Sequence, residues 1–121
     1  MRPLTIIVTV PDAERLRGAL VIASAQAALN GAASLFLQLD AVALLHKPIL
    51  APRDEAHRAA GLPPLASLLE EALALGVRVV ACQSGLALRG MTIGDLPDGI
   101  VIGGPIGVLA EMTDDERLLI A

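Results

Sequence analysis

Leu4-Thr5-Ile6-Ile7-Val8-Thr9-Val10, closed at once by Pro11-Asp12, is the stretch that decides the fold. It is short, rich in β-branched residues and apolar at nearly every position, which is how a strand buried on both faces reads. Pro11 stops the strand, and Asp12 is placed to cap a helix by accepting backbone N–H groups of its first turn. Leu16, Leu20, Ala23 and Ala27 then recur at helical spacing until Asn30-Gly31 ends the run. A buried strand feeding a helix is the first half of a β-α-β unit.

The rest of the chain repeats that alternation. Ser34 to Leu39 reads as a second strand, and Leu62 to Leu75 as a helix with Leu65, Leu68, Leu69, Ala72 and Leu73 on one face and Gly76 as its stop. Val77 to Ala81 is a third strand and Ile100 to Ile102, between two glycine turns, a fourth. Val108 to Met112 sits on a helix, and Arg117 to Ile120 makes a fifth strand. Apolar strands alternating with helices predict one α/β domain over residues 1–121, its mainly parallel sheet covered on both faces. The exception is His46 to Gly61, the most polar segment, which is too long for an ordinary connection. It reads either as a partly helical excursion or as a mobile loop at the carboxyl edge of the sheet that gates the residues there.

Composition narrows the function classes. The 121 residues are 55% hydrophobic with a net charge of −4, the reverse of a disordered chain. A single Cys forms no internal disulfide, which excludes a disulfide-stapled secreted scaffold and points to a reducing compartment. One Phe, no Tyr and no Trp leave almost nothing for bases to stack on, and the acidic balance offers phosphate backbones no attractive field, so nucleic acid is not an expected partner. The apolar stretch Gly18 to Leu45 is interrupted by Ser24, Gln26, Asn30, Ser34, Gln38 and Asp40, so it is not read as a membrane span. Leu4 to Val10 is followed by charged residues rather than by a small-residue cleavage site, and the expectation is a soluble, cytoplasmic protein.

The helix after Asp12 carries more apolar surface than one sheet needs. Leu16, Leu20, Ala23 and Ala27 form one face, yet Val21, Ile22, Ala25 and Leu29 occupy most of the other. Together they would make an apolar patch of the kind soluble monomers avoid, and they predict burial against a second copy.

Ligands of open parallel sheets bind outside the carboxyl ends of the strands. Thr9 to Asp12, Leu39-Asp40, Cys82 to Gly85 and Gly103 to Pro105 all fall there. Of these only Cys82 has intrinsic nucleophilic power. Ser84 and Gly85 allow a tight turn into a short helix whose first N–H groups would stabilise a thiolate or persulfide, with Arg89 adding positive charge and His46 able to face the thiol. Free Cys is also among the most buried residue types, and that alternative stays open. Gly103-Gly104-Pro105-Ile106-Gly107 lacks the Lys and the spacing of a phosphate loop and reads as a strand-to-helix turn. One Cys and two separated His give no metal-ligand cluster, and no motif calls for a cofactor.

Val77-Arg78-Val79-Val80-Ala81-Cys82-Gln83-Ser84-Gly85-Leu86-Ala87-Leu88-Arg89-Gly90-Met91 resembles the DsrE/DsrF-like family, in which a strand ends in Cys, a short helix follows and Arg-Gly closes it. The resemblance extends to Phe36 to Lys47 and to the ending from Gly99-Ile100 through Gly103-Gly104 to Glu111 and Arg117-Leu118-Leu119. It implies a single three-layer α/β/α domain with a five-stranded sheet, commonly assembled as a trimer or larger homo-oligomer. It also implies a sulfur-relay role in which Cys82 carries sulfane sulfur as a persulfide between donor and acceptor proteins, a sulfurtransferase-like carrier. Some members have a second nearby Cys, which this chain lacks. The reading from another class is a non-enzymatic oligomeric module that binds a small ligand or protein with Cys82 inert.

Overall fold

The computed structural model describes all residues from Met1 to Ala121. Five strands, β1 (Leu4–Val8), β2 (Ala33–Leu37), β3 (Arg78–Cys82), β4 (Val101–Gly103) and β5 (Arg117–Ile120), form one sheet in the order β4-β3-β2-β1-β5. Every neighbouring pair is parallel. The helices are α1 (Ala13–Ala28), α2 (Asp54–Ala59), α3 (Leu65–Ala74), α4 (Gln83–Arg89) and α5 (Pro105–Glu111), with a 3₁₀ segment Leu39–Leu45 after β2. The α/β reading of the sequence holds, and the sheet is parallel throughout.

Register explains why the strands are nearly all apolar. Leu4, Ile6 and Val8 pair with Ala33, Leu35 and Leu37 and share a face with Val79 and Ala81, on which α1 and α3 pack side by side. Thr5, Ile7, Ser34, Phe36, Arg78, Val80 and Cys82 alternate onto the other face. Val108 of α5 reaches that second face beside Phe36 and Val80. Leu16, Leu20 and Ala23 of α1 are buried in the core, while Val21, Ile22, Ala25 and Leu29 stay exposed, as their spacing predicts.

Element ends follow local chemistry. The Asp12 Oδ1 accepts the Glu14 and Arg15 N–H groups at 2.9 and 3.3 Å, so α1 starts where the cap predicts. β1 ends at Val8 rather than Val10, because the Val10 carbonyl turns back to accept the Asp12 N–H at 2.9 Å. β2 ends at Leu37 rather than Leu39, whose positive φ of 49° swings the chain into the 3₁₀ segment. α3 begins at Leu65 rather than Leu62, because Pro63-Pro64 brings no N–H groups and Pro64 takes the cap position. Pro105 occupies the first turn of α5, the place the glycine-rich turn predicts for it.

The polar segment His46 to Gly61 is the partly helical excursion, containing α2, and it is tied down by a buried charge. The Asp54 carboxylate accepts the Arg17 guanidinium at 2.9 Å, the Leu65 N–H at 3.0 Å and the Ala51 N–H at 3.1 Å. It thereby supplies from a distance the cap that Pro64 cannot give α3. Arg17, itself buried, also donates to Glu14 and to the Pro63 carbonyl, and Glu14 lies 2.8 Å from the His57 Nε2. These bonds run to α1 and α3, with Lys47 N–H donating to the Asp95 carbonyl. None runs to the turn at Cys82; the segment is anchored to α1 and α3.

Burial alone would push the Asp54 carboxyl up, but the Leu65 N–H, the Arg17 guanidinium and the Ala51 N–H more than offset it and hold its pKa at about 2. A carboxyl depressed in the folded state stabilises the fold above its unfolded pKa and loses that contribution as pH falls through the folded value. Urea titrations should therefore show on the order of 2 kcal/mol of stability lost between about pH 5 and pH 2 through this group alone. Asp54→Asn should lose a similar amount at pH 7 and flatten the acid limb; an unchanged limb would show that the group contributes nothing to it.

Candidate functional site

The sheet brings one nucleophile to its carboxyl edge. β3 runs Val79, Val80 and Ala81 through the core and ends in Cys82, which is also the N-cap residue of α4, with extended φ and ψ of −65° and 122°. Strand alternation puts Cys82 on the face of Val80 and Phe36, opposite Gly103 of β4. The thiol is free and only 2% exposed, and it makes no side-chain bond to the first N–H groups of α4. The stabilisation expected from the helix start is thus not made by the resting thiol.

Gly85 explains how α4 closes over that turn. A Cβ added at Gly85 would run into the Leu39 backbone carbonyl, so only glycine lets α4 pack against the 3₁₀ segment. At the other end Gly90 takes a left-handed conformation, φ 64° and ψ 30°, that terminates α4 and fits the Arg-Gly ending seen in the sequence.

The remaining candidates divide into two groups. Ser84 and Gly85 lie on the same turn as Cys82, Ser84 exposed and Gly85 buried. Arg89 is turned to the 3₁₀ segment, its Nη1 3.8 Å from the Asp40 Oδ1, an exposed pair of little strength. His46 is exposed at the end of that segment, its Nε2 3.6 Å from the Asp95 Oδ1 and its Nδ1 2.7 Å from the Lys47 carbonyl. The histidine and the arginine therefore answer carboxylates rather than the thiol. No three His, Cys, Asp or Glu side chains gather as a metal site, and no helix is long and apolar enough to cross a membrane.

Sequence reasoning missed a cavity of about 250 Å³ between α5 and the second face of the sheet. Thr5, Ser34 and Arg78 stand in register across three strands at its polar end, with Glu111 and Glu116 beside them, and Phe36, Val80 and Val108 form its apolar wall. Thr5 donates to Glu116, and Arg78 is ion-paired with Glu111. The signal was present as one polar residue, Thr5, Ser34 or Arg78, at or near the start of each of three otherwise apolar strands.

The DsrE/DsrF-like family model matches residues 3–120 of the chain. Two solved structures cover all of this chain with all of theirs at a TM-score of 0.73. One is the ychN protein from E. coli, 22% identical, and the other a protein of unknown function from Methanobacterium thermoautotrophicum, 16% identical. At these identities the likeness is one of fold. None of the curated protein sequences matches the chain.

The packing at Gly85 gives a stability test. Gly85→Ala should destabilise the protein by about 1–3 kcal/mol in urea titration, because the Leu39 carbonyl cannot retreat without moving the 3₁₀ segment. Gly18→Ala, in mid-helix with open space around its Cβ position, should instead stabilise by about 0.5–1 kcal/mol. Equal effects at the two sites would refute the close approach.

Proposed function

The chain belongs to the DsrE/DsrF-like family, and from that membership and the place of its one thiol we propose that it is a sulfur-relay protein carrying sulfane sulfur on Cys82. The observation that carries the reading is the position of Cys82, at the carboxyl end of a buried parallel strand and at the cap of the helix that follows. That edge is where parallel sheets present their chemistry. In the proposed step the Cys82 thiolate attacks the terminal sulfur of a donor protein's persulfide. The donor S–S bond breaks, the donor leaves as a thiolate, and Cys82 holds a persulfide. Attack on its outer sulfur by an acceptor protein's thiolate reverses the exchange and returns Cys82. No net oxidant or reductant is consumed, so a single cysteine suffices and no resolving partner is required.

The burial of the thiol favours one other reading, in which Cys82 is an inert core residue of a ligand- or protein-binding module. Under the relay reading the surrounding layer must open for each transfer.

The proposal includes assembly with further copies of the chain. Val21 and Ile22 of α1 and Leu29 at its C-cap are 50%, 49% and 65% exposed, and Ile106, Leu109, Leu118 and Ile120 add apolar surface on α5 and β5. A homo-oligomer, a trimer by family resemblance, would cover the α1 face.

Reduced protein treated with a low-molecular-weight persulfide should gain the mass of one sulfur atom, and Cys82→Ser none; equal gain by both, or none by wild type, rejects the carrier. In sedimentation, the wild type should run as an oligomer at micromolar concentration. Val21→Glu or Leu29→Glu should shift it toward monomer, since a carboxylate desolvated without a partner costs several kcal/mol. A monomeric wild type rejects the assembly.

A further inference from the structure

The cavity between α5 and the second face of the sheet lies at the amino ends of β1, β2 and β3, where Thr5, Ser34 and Arg78 stand in register. Arg78 begins the strand that Cys82 ends, roughly 13 Å away along it, so the cavity and the thiol occupy opposite ends of the sheet. Its chemistry is independent of the relay reading.

The charges around the cavity do not balance. Arg78 is paired with Glu111, and that pair is neutral. Glu116 is half-buried, and the only partners of its carboxylate are two neutral donors, the Thr5 hydroxyl and the Thr113 N–H at 3.2 Å. Thr5 is itself buried, so these bonds fix the carboxylate at the cavity before any ligand arrives. A carboxylate taken partly out of water with no counter-charge is costly, and a cation placed on it relieves that cost.

The hydrogen-bonding groups have the same bias. The Thr5 oxygen donates its proton to Glu116 and keeps its acceptor lone pairs, and the half-buried Ser34 hydroxyl makes no side-chain hydrogen bond within the protein. Arg78, the strongest donor on the cavity, is engaged by Glu111. Acceptors therefore outnumber free donors at the polar end, while Phe36, Val80 and Val108 offer only apolar surface. An anion entering here meets Glu116 and Glu111, and a neutral molecule leaves Glu116 unanswered. At about 250 Å³ the cavity is smaller than the sites that hold drug-sized ligands, so its ligand has few non-hydrogen atoms.

We propose that this cavity is a binding site for a small primary amine, its ammonium group on Glu116 and Ser34 and its apolar body against Phe36, Val80 and Val108.

Benzylamine, benzyl alcohol and benzoate share a ring and differ in charge, and titrating each into the isotope-labelled full chain reads the site residue by residue by NMR. Benzylamine should bind at roughly millimolar concentration and move the amide signals of Thr5, Ser34, Val108 and Thr113. The alcohol should bind about fivefold more weakly or worse, and benzoate should not bind. Glu116→Gln, which keeps the shape of the side chain and an acceptor for the Thr113 N–H, should weaken benzylamine by about fivefold or more. Val108→Phe, which fills the cavity and leaves every charge in place, should abolish binding, whereas Glu55→Gln, at an exposed pair on α2, should change nothing. The same spectra show that each variant is folded. Equal binding of amine and alcohol overturns the site, as do shifts over the acidic surface that survive Val108→Phe, or no shift at the four named amides.

Discussion

A parallel sheet has no face that it can leave to water, and the whole molecule is arranged around that constraint. Strands connected by crossovers are apolar on both sides, so each side needs its own layer. One side is covered generously, by α1 and α3 packed together over Leu35, Leu37 and Val79. The other is covered piecemeal, by the short α5 with a single inward residue. The asymmetry decides where space is left, and the one nucleophile lies on the thinly covered side.

The buried Arg17–Asp54 pair answers a second constraint, the long connection from β2 to β3. An excursion of that length costs conformational freedom, and a polar one contributes little apolar burial in return. Asp54 gathers Arg17, Ala51 and Leu65 around one carboxylate, so a single side chain fixes the excursion to α1 and starts α3. Such a pair is stabilising only because each partner is fully bonded; remove one, and the other is left charged and dry.

Much of this was legible in the residues, and the illegible parts share a cause. Short apolar runs bounded by turn residues located all five strands, because a sheet covered on both faces is apolar at nearly every position, and Asp12 announced its cap because capping is local chemistry. Cys82 was found for the same reason, as the residue ending an apolar run. What was not legible depended on contacts between distant segments. Asp54 looked like one more charge in a polar stretch, since its partners are Arg17 and Leu65. His46 and Arg89 looked available to the thiol, since nothing local shows that Asp95 and Asp40 engage them. The cavity needs three strands in register before its polar end exists.

The pairing of β1 with β5 has a consequence for how the chain comes together. β1, the first strand, is an interior strand of the finished sheet, yet its second neighbour is drawn from the far end of the chain. Closing so long a loop is the slowest kind of contact to form, so β1 spends the early stages of folding as an edge. During that interval Thr5, Ile6 and Ile7 present an open ladder of backbone groups on an apolar strand, the feature by which chains pair with the wrong partner. Four residues, Arg117 to Ile120, separate a closed β1 edge from an adhesive one.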